Sequence, residues 1–350
     1  MSKQIFGSMP DGREVDLYTL KSDKLEAQIS AYGAAIIVLR TPDRKGNWED
    51  VVLGPQDLAS HVANHCSKGP IFFGVTVGRY ANRIAHGRFS LDGNTYSLAL
   101  NDGNNSLHGG PGGFHNVVWQ SEPIADGVAF DYLSEDGEEG YPGNLSVTVR
   151  YTVTGAELKI EYLATTDKPT VLNLTNHAYF NLGGAGRGNI LGHQLKLFAS
   201  RFTPCDAHQI PTGEIRSVAG TPLDFREATT VGDRINSDDE LIRLAHGYDH
   251  NFVIDETGAK LKQAAKMYEP STGRVMEVLT TEPGVQFYTG NYLDGSFRGK
   301  NGVVYGKQTG FCLETQYYPD SPNHREFPST VLRPGQTFQS ETVYRFAVLE

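Results

Sequence analysis

The chain is poor in cysteine, in basic runs and in long apolar stretches, and each shortage argues against a class of protein. Its three cysteines, Cys66, Cys205 and Cys312, lie far apart, so they predict neither a disulfide framework nor a zinc site. A formal net charge of −10, with no basic run, argues against a nucleic-acid partner. The chain has no apolar run of membrane-spanning length and no signal peptide at its start. We therefore expect a soluble, cytoplasmic protein with no membrane or nucleic-acid partner.

Glycine and aromatic residues are abundant, with 39 Gly, 17 Tyr and 17 Phe. This composition is typical of many strands joined by tight turns. Residues 89–98 predict a hairpin around Asp92-Gly93, and residues 145–151 and 157–164 predict two alternating strands joined around Thr154-Gly155. There is no linker and no break in composition. The sequence therefore predicts an all-β fold, a large antiparallel β-sandwich with few short helices, in which residues 1–350 form a single domain.

Two short helices are predicted. The first covers residues 57–65 and places His61 and His65 four residues apart on one face. No glutamate lies beside His61, as a zinc-protease helix would require, so we interpret both as surface histidines. The second begins at Ser237, which with Glu240 has the spacing of a capping box. Residues 259–267 have helical propensity, but a turn and a strand follow at once, so a hairpin is favoured there.

Three predicted strands each combine an apolar face with a polar one. The strands are residues 173–181, 285–290 and 311–316. Their polar faces carry His177 and Tyr179, Gln286 and Tyr288, and Glu314 and Gln316. If these faces converge, they form a concave site rich in hydrogen-bonding groups and aromatic rings, which suits a sugar. A carboxylate and an imidazole add acid–base capacity, and no motif for a nucleotide or a redox cofactor is present.

Two further segments carry polar residues next to glycines. Residues 71–84 predict a buried strand that ends in a turn containing Asn82 and Arg83. Residues 105–115 are rich in glycine but lack the Gly-Lys-Ser/Thr ending of a phosphate loop. A loop that lets His108 approach a ligand is at least as good an interpretation.

Seven motifs together resemble the galactose mutarotase (aldose 1-epimerase) family, in the family's order and from about residue 5 to the C-terminus. They are GRYANRI at 78–84, NSLHGG at 105–110, GEEGYPG at 137–143, NLTNHAYFN at 173–181, DHNF at 249–252, GVQFYTGN at 284–291 and GFCLETQ at 310–316. Each motif alone is modest, whereas seven in order are highly specific.

The resemblance implies a β-supersandwich fold and the interconversion of the α and β anomers of aldohexoses such as galactose and glucose, with no metal or cofactor. It implies that Glu314 is the general base at the anomeric hydroxyl and that His177 is the general acid at the ring oxygen. His108 would be a second imidazole on the ring-oxygen side. The residues expected to hold the sugar are Asn82, Arg83, Asp249, Gln286 and Tyr179. A monomer or a homodimer is expected.

Other interpretations of these residues stay open at this point. His177 could be structural, Glu314 could form a buried ion pair with Arg83, and Asp249 could cap a turn. A glycoside hydrolase could use Asp249 and Glu314 as its carboxylate pair, and a sugar-binding module would need no catalysis. A hexose-phosphate epimerase would need a cluster of basic residues, and only Arg79 and Arg83 lie within the motifs. The preferred aldose and the division of labour between His108 and His177 are also open.

Overall fold

The structure is a computed structural model that describes residues 1–65, 67, 69–256, 258 and 260–350. Cys66 lies outside the described residues, and so does Ala259, the first residue of the predicted 259–267 segment. No helix among the residues described is both long enough and apolar enough to cross a membrane.

Strands make up most of the regular structure. The first part of the chain contains β1 (Ser2–Ser8), β2 (Glu14–Lys21), β3 (Glu26–Ser30), β4 (Ala35–Pro42), β5 (Trp48–Asp50), α1 (Leu58–His65), β6 (Thr76–Val77), β7 (Arg83–Ile84), β8 (Arg88–Leu91), β9 (Asn94–Ser97), β10 (Ser106–Leu107) and β11 (Gln120–Ile124). The middle contains β12 (Gly127–Ser134), β13 (Leu145–Thr154), β14 (Glu157–Thr166), β15 (Thr170–Val171), β16 (Thr175–Asn176), β17 (Gln194–Leu197), β18 (Arg201–Phe202), β19 (Arg216–Ser217) and β20 (Thr229–Thr230). The last part contains α2 (Glu240–Ala245), β21 (Asp249–Val253), β22 (Lys262–Tyr268), β23 (Arg274–Thr280), β24 (Gly284–Tyr288), β25 (Cys312–Gln316), β26 (Val331–Leu332) and β27 (Phe338–Val348).

One large antiparallel sheet and two smaller ones form the framework. The large sheet has nine strands in the order β11-β12-β13-β14-β27-β23-β22-β17-β20. One five-stranded sheet follows chain order from β1 to β5, and the other has the order β19-β18-β21-β24-β25. Apolar side chains from all three sheets share one buried cluster, for example Ile29, Val149 and Phe287. The predicted large antiparallel β-sandwich with few helices is therefore confirmed.

Tight turns set the register where the sequence predicted hairpins. β8 and β9 pair from Arg88↔Ser97 to Leu91↔Asn94, and their connecting residues Asp92 and Gly93 both have positive φ. That backbone matches the twist of the adjoining strands, which explains why Asp-Gly occurs there. β13 with β14 and β22 with β23 are also antiparallel hairpins. All three predicted hairpins are confirmed within the residues that the structure describes.

Three local predictions outside the 173–181 segment are wrong. Within residues 71–84 only Thr76–Val77 and Arg83–Ile84 form strands. The N-cap of helix α2 lies two residues after the predicted one, because Asp239 and not Ser237 accepts the Leu241 N–H, at 2.9 Å. The third error concerns α1, whose extent was predicted correctly but whose histidines were assigned to the surface.

His61 and His65 do share one face of α1, as their spacing predicts, but that face points inward. His61 is fully buried, and its ring lies 5.3 Å from the Tyr32 ring and 4.6 Å from that of His65. The His65 ring lies 5.0 Å from His115, which is also buried. Burial lowers the pKa of His61 to about 3, so the imidazole stays neutral and packs as an aromatic ring.

Candidate functional site

A cavity of about 380 Å³ lies on one face of the sheet that contains β21, β24 and β25. Its lining includes seven of the eight predicted site residues: Asn82, Arg83, His108, His177, Tyr179, Asp249 and Glu314. Asn82 and Glu314 line the same cavity although 232 positions separate them in the sequence. The tertiary structure therefore brings the predicted set together.

The carboxylates Asp249 and Glu314 are on β21 and β25, the two strands that flank β24. β24 pairs with β25 so that Gln286 lies opposite Glu314, and β21 pairs with β24 so that Asp249 lies opposite Tyr288. Because alternate residues of a strand share one face, these side chains point to the same side of the sheet. The other side carries buried apolar residues such as Phe287 and Leu313, which join the core. The alternation predicted for β24 and β25 is confirmed.

His177 reaches the site from a segment that is mostly irregular. Residues 173–181 were predicted to form one strand, but only Thr175–Asn176 is a strand, paired with β6. An isolated antiparallel bridge joins Phe180 to Phe311, and extending that register places His177 opposite Glu314. The His177 N–H also donates to the Val75 carbonyl at 2.9 Å. These contacts hold the imidazole beside the carboxylate without a regular strand.

Not every residue of the predicted polar faces reaches the cavity. The Asn173 amide donates to the carbonyls of Ala81 and Tyr317, both at 3.2 Å, and so has a structural role. Gln316 is fully buried and does not line the cavity. Gln286 lies behind the lining, where its Nε2 donates to Asp249 Oδ1 at 2.7 Å. Any effect of Gln286 on a ligand would therefore act through Asp249.

His108 and Asn82 are held together by a short ladder. β7 pairs with β10 through Ile84↔Ser106 and Arg83↔Leu107, so Asn82 and His108 come next in register. The Asn82 N–H donates to His108 Nδ1 at 3.1 Å, and the His108 N–H donates to the Asn82 carbonyl at 3.0 Å. Both residues have a positive φ, 63° and 51°, which non-glycine residues seldom adopt. Strained backbone of this kind is often found at functional sites.

This hydrogen bond fixes the tautomer of His108. Because Nδ1 accepts a backbone N–H, it carries a lone pair, and the proton of the neutral ring is on Nε2. Burial lowers the pKa of His108 well below its usual value, with the neighbouring His177 and Arg83 adding to the effect. His108 is therefore a neutral side chain that offers a fixed N–H donor. Gly109, which follows it, is required because a Cβ there would meet the Gly78 carbonyl at 2.0 Å.

Glu314 and His177 form the central pair. His177 Nε2 lies 3.6 Å from Glu314 Oε1, and both side chains are at most 5% exposed. Burial raises the pKa of Glu314 well above its usual value, and the charge of Asp249 adds to this, while Arg83 opposes it. Burial lowers the pKa of His177 to about 4. Loss of water thus favours the uncharged form of each member.

Arg83 contributes a positive charge to the lining of the cavity. Its Nε lies 2.7 Å from Asp102 Oδ2, so the ion pair suggested for Arg83 and Glu314 is instead made with Asp102. Burial raises the pKa of Asp249, and the Arg83 charge and the Gln286 hydrogen bond partly offset that effect. Arg79, the other arginine of the motifs, is buried and donates to the carbonyls of Ser134, Glu135 and Pro142. It has a structural role and does not contribute to a phosphate site.

The ligand atoms of His108, His177 and Glu314 lie within 4.8 Å of one another, a spacing that also deserves consideration as a metal site. Two imidazoles and a carboxylate would suit a transition metal. However, the nitrogen of His108 that is not bonded to Asn82 carries a proton and has no lone pair for a metal. A metal would have to displace that proton and break the Asn82 hydrogen bond. The donor set is better suited to proton transfer.

Sequence reasoning missed several contributors. The Phe72 ring packs against His108 at 4.6 Å and against His177 at 5.7 Å, within the 71–84 segment that was interpreted as a buried strand. Tyr292 is 54% exposed at the rim and stacks on Tyr288. Cys312 lies 3.5 Å from His177 Nδ1. Its position two residues before Glu314 on β25 gives it the same facing, so the two-residue period alone could have identified it.

Comparison with known proteins gives a consistent result. The family model described as aldose 1-epimerase matches residues 16–345. The chain is 45% identical over 350 residues to a bovine protein named galactose mutarotase, and 99% of each chain is covered. It is 38% identical over 345 residues to an Escherichia coli protein named aldose 1-epimerase, with 96% of each covered.

Solved structures agree with the sequence comparison. An aldose epimerase homologue from Caenorhabditis elegans superposes with a TM-score of 0.86 at 31% identity, covering 95% of this chain and 99% of that one. A galactose 1-epimerase from Lactobacillus acidophilus superposes with a TM-score of 0.85 at 28% identity, covering 100% and 99%. The similarity therefore extends over essentially the whole chain.

Proposed function

This chain belongs to the aldose 1-epimerase family, and we propose that Glu314 and His177 are the acid–base pair of its reaction. The protein is an isomerase that interconverts the α and β anomers of aldose sugars. Because the bovine relative is named galactose mutarotase, we propose D-galactose as a substrate, and with it D-glucose, which differs from galactose at one stereocentre. The observation that carries the residue assignment is the 3.6 Å contact between two buried titratable groups in the wall of the cavity.

Ring opening requires one proton to leave the sugar and another to arrive. The Glu314 carboxylate takes the proton of the anomeric C1 hydroxyl, while the His177 imidazolium gives its Nε2 proton to the ring oxygen. The C1–O bond of the ring breaks as the C1 carbonyl forms. Rotation about C1–C2 presents the other face of the aldehyde, and the two transfers then run in reverse. No net proton enters or leaves the site.

Burial assists this reaction, because the ring-opened state contains the uncharged forms of both residues. The pKa shifts of Glu314 and His177 both favour neutral groups in a site with little water. A sugar brings hydroxyl groups that solvate the charged pair at the start of the cycle. The energies of the two states are thereby brought closer, which is what a reversible epimerisation needs.

The remaining residues bind and orient the sugar in this proposal. His108 donates its fixed Nε2–H to the ring oxygen or a neighbouring hydroxyl, but it does not exchange that proton, since its Nδ1 is occupied by the Asn82 N–H. Arg83 and Asn82 donate to hydroxyls, and Asp249, held by Gln286, accepts from them. The Tyr179 ring, whose centroid is 5.0 Å from that of His177, provides an apolar surface for the sugar.

The cellular setting is proposed on simpler grounds. An acidic chain with few cysteines fits a reducing cytoplasm, and a small-molecule reaction needs no second chain. We propose that the protein works in the cytoplasm as a monomer or homodimer and that residues 1–350 form one domain.

Polarimetry of freshly dissolved α-D-galactose and α-D-glucose tests the assignment. We expect Glu314→Gln to lower kcat by about 10²- to 10⁴-fold, because one positioned proton transfer is lost. Sugar affinity, measured by calorimetry, should change little, because the amide has the same shape as the carboxyl group.

Glu282→Gln is the matched control, since Glu282 is another fully buried glutamate that does not line the cavity. It should retain wild-type turnover. Near wild-type epimerisation by Glu314→Gln would refute the assignment of the base. Failure of the wild-type protein to exceed the buffer rate on either sugar would remove both as substrates.

A further inference from the structure

The proposed cycle requires a particular protonation state of His177 Nδ1, the ring nitrogen that faces away from Glu314. When the imidazolium gives its Nε2 proton to the sugar, the neutral ring that remains must hold its one proton on Nδ1. It must also keep the bare Nε2 directed at the site, ready to take the proton back. A group that accepts a hydrogen bond from Nδ1 would favour this tautomer and this ring orientation.

The structure places a sulfur atom at that nitrogen. Cys312 Sγ lies 3.5 Å from His177 Nδ1, while Nε2 on the opposite side of the ring lies 3.6 Å from Glu314 Oε1. Cys312 is fully buried and is two residues from Glu314 on β25, so both side chains point to the same face. A single strand therefore contacts both nitrogens of the imidazole.

We propose that Cys312 is a positioning residue whose sulfur accepts the Nδ1–H of His177 and so keeps Nε2 available to exchange a proton with the sugar. This inference rests on the proposed role of His177 as the acid. The sulfur acts through the ring and does not touch the substrate. The two histidines of the site then have opposite tautomers, because His108 Nδ1 accepts a proton donor while His177 Nδ1 donates.

A thiol is well suited to this role because it is neutral. Burial raises the pKa of Cys312 well above its usual value, and the charges of Glu314 and Asp249 add to the effect, so no thiolate forms beside the imidazole. An anionic partner would stabilise the imidazolium and make it a weaker acid. A sulfur accepts only a weak hydrogen bond, so it orients the ring while leaving His177 a strong acid.

Nitrogen NMR separates this role from simple packing. We would label the protein with ¹⁵N-histidine, assign the His177 signals by their loss in His177→Gln, and compare wild type with Cys312→Ala and Cys312→Ser. The wild-type ring should show a protonated Nδ1 and a bare Nε2 at neutral pH. Cys312→Ala should move both signals toward the average of the two tautomers, because the Nδ1 acceptor is gone.

Kinetics provide the second readout. Losing the hydrogen bond that holds the His177 ring should lower kcat of Cys312→Ala by about three- to tenfold, with little change in KM. Cys312→Ser should restore most of kcat and the wild-type tautomer, since its hydroxyl can accept the Nδ1–H. Cys205→Ala is the control for loss of a thiol, because Cys205 is half-buried and its Sγ contacts the Thr203 carbonyl.

A bare Nδ1 in the wild-type protein would overturn the inference, since the thiol would then be the donor. It would also be overturned by a Cys312→Ala protein whose His177 signals match wild type, even if kcat falls, because that result indicates packing alone. Neither outcome depends on the activity of His177 as the acid. Failure of that assignment would instead appear as near wild-type kcat in His177→Gln.

Discussion

At the residue scale, the chemistry depends on two groups whose pKa values burial moves in opposite directions. The pKa of Glu314 is raised and the pKa of His177 is lowered to about 4. Over a wide range of pH the pair therefore holds one proton between them. That single-proton form includes the carboxylate–imidazolium arrangement which the reaction requires. The pair, and not either residue alone, therefore sets the pH range of activity.

This coupling predicts the pH dependence of kcat/KM. Activity should fall near pH 4 and below, as His177 also becomes protonated while Glu314 already holds a proton. It should fall again on the alkaline side, as the pair loses its last proton through the raised pKa of Glu314. Ordinary values of about 4.3 for Glu and 6.5 for His would instead make an imidazole responsible for the alkaline fall.

Initial rates by polarimetry at two temperatures distinguish these cases. A carboxylic acid ionises with almost no enthalpy change, whereas an imidazolium ion absorbs heat on ionising, so only the latter has a strongly temperature-dependent pKa. We expect the alkaline midpoint to stay fixed on warming and the acid midpoint to move. An alkaline midpoint that shifts on warming as the pKa of an imidazole does would show that His177, and not Glu314, sets the alkaline limit of activity.

At the element scale, short segments are held by specific side-chain contacts more than by their own propensity. Helix α2 has only six residues, from Glu240 to Ala245. Asp239 caps its start, and the amide groups of Asn291 and Gln209 donate to the carbonyls of Ala245 and Leu244 near its end. The capping residue should therefore affect stability measurably.

Asp239→Ala should lower the free energy of unfolding by about 1 kcal/mol, because the Leu241 N–H loses its acceptor at the start of the helix. Ser237→Ala is the matched control: its position fits the capping pattern, but Asp239 performs that role, so it should have almost no effect. Urea unfolding followed by circular dichroism measures both. Equal losses in the two variants would show that the hydrogen bond to Asp239 is not what stabilises α2.

At the scale of the whole molecule, buried polar side chains connect segments that are distant in sequence. Arg274, at the start of β23, is 2% exposed and donates to the carbonyls of Thr41, Leu182 and Asn47 at distances of 3.0 to 3.2 Å. It thereby joins the β4–β5 turn, the end of the 173–181 segment and the nine-stranded sheet. The shared core also spans residues from Val15 to Phe346, which fits the single domain that we propose.

Arg274→Met should therefore destabilise the protein by about 3 kcal/mol or more, because it leaves three carbonyls without their charged donor. Arg150→Met is the control, since Arg150 is exposed on β13 and its replacement should change stability by no more than about 0.5 kcal/mol. Urea midpoints give both values. A midpoint for Arg274→Met equal to that of Arg150→Met would show that these contacts do not stabilise the assembly of the sheets.

The sequence by itself determined the features that depend on local pattern. Alternation identified the faces of β24 and β25, so Glu314 was placed on the polar side and Leu313 in the core. The Asp92-Gly93 turn identified a hairpin because its backbone conformation favours those residues. The motif series identified the family, and with it most of the lining of the cavity.

Only the tertiary structure decided which way a local pattern faces and what lies behind each group. The spacing of His61 and His65 puts them on one face of a helix, but packing against Tyr32 and His115 turned that face inward. The opposite tautomers proposed for His108 and His177 depend on an Asn82 N–H and a Cys312 sulfur brought close by strand pairing. Such contacts join residues far apart in the chain, and local periodicity carries no information about them.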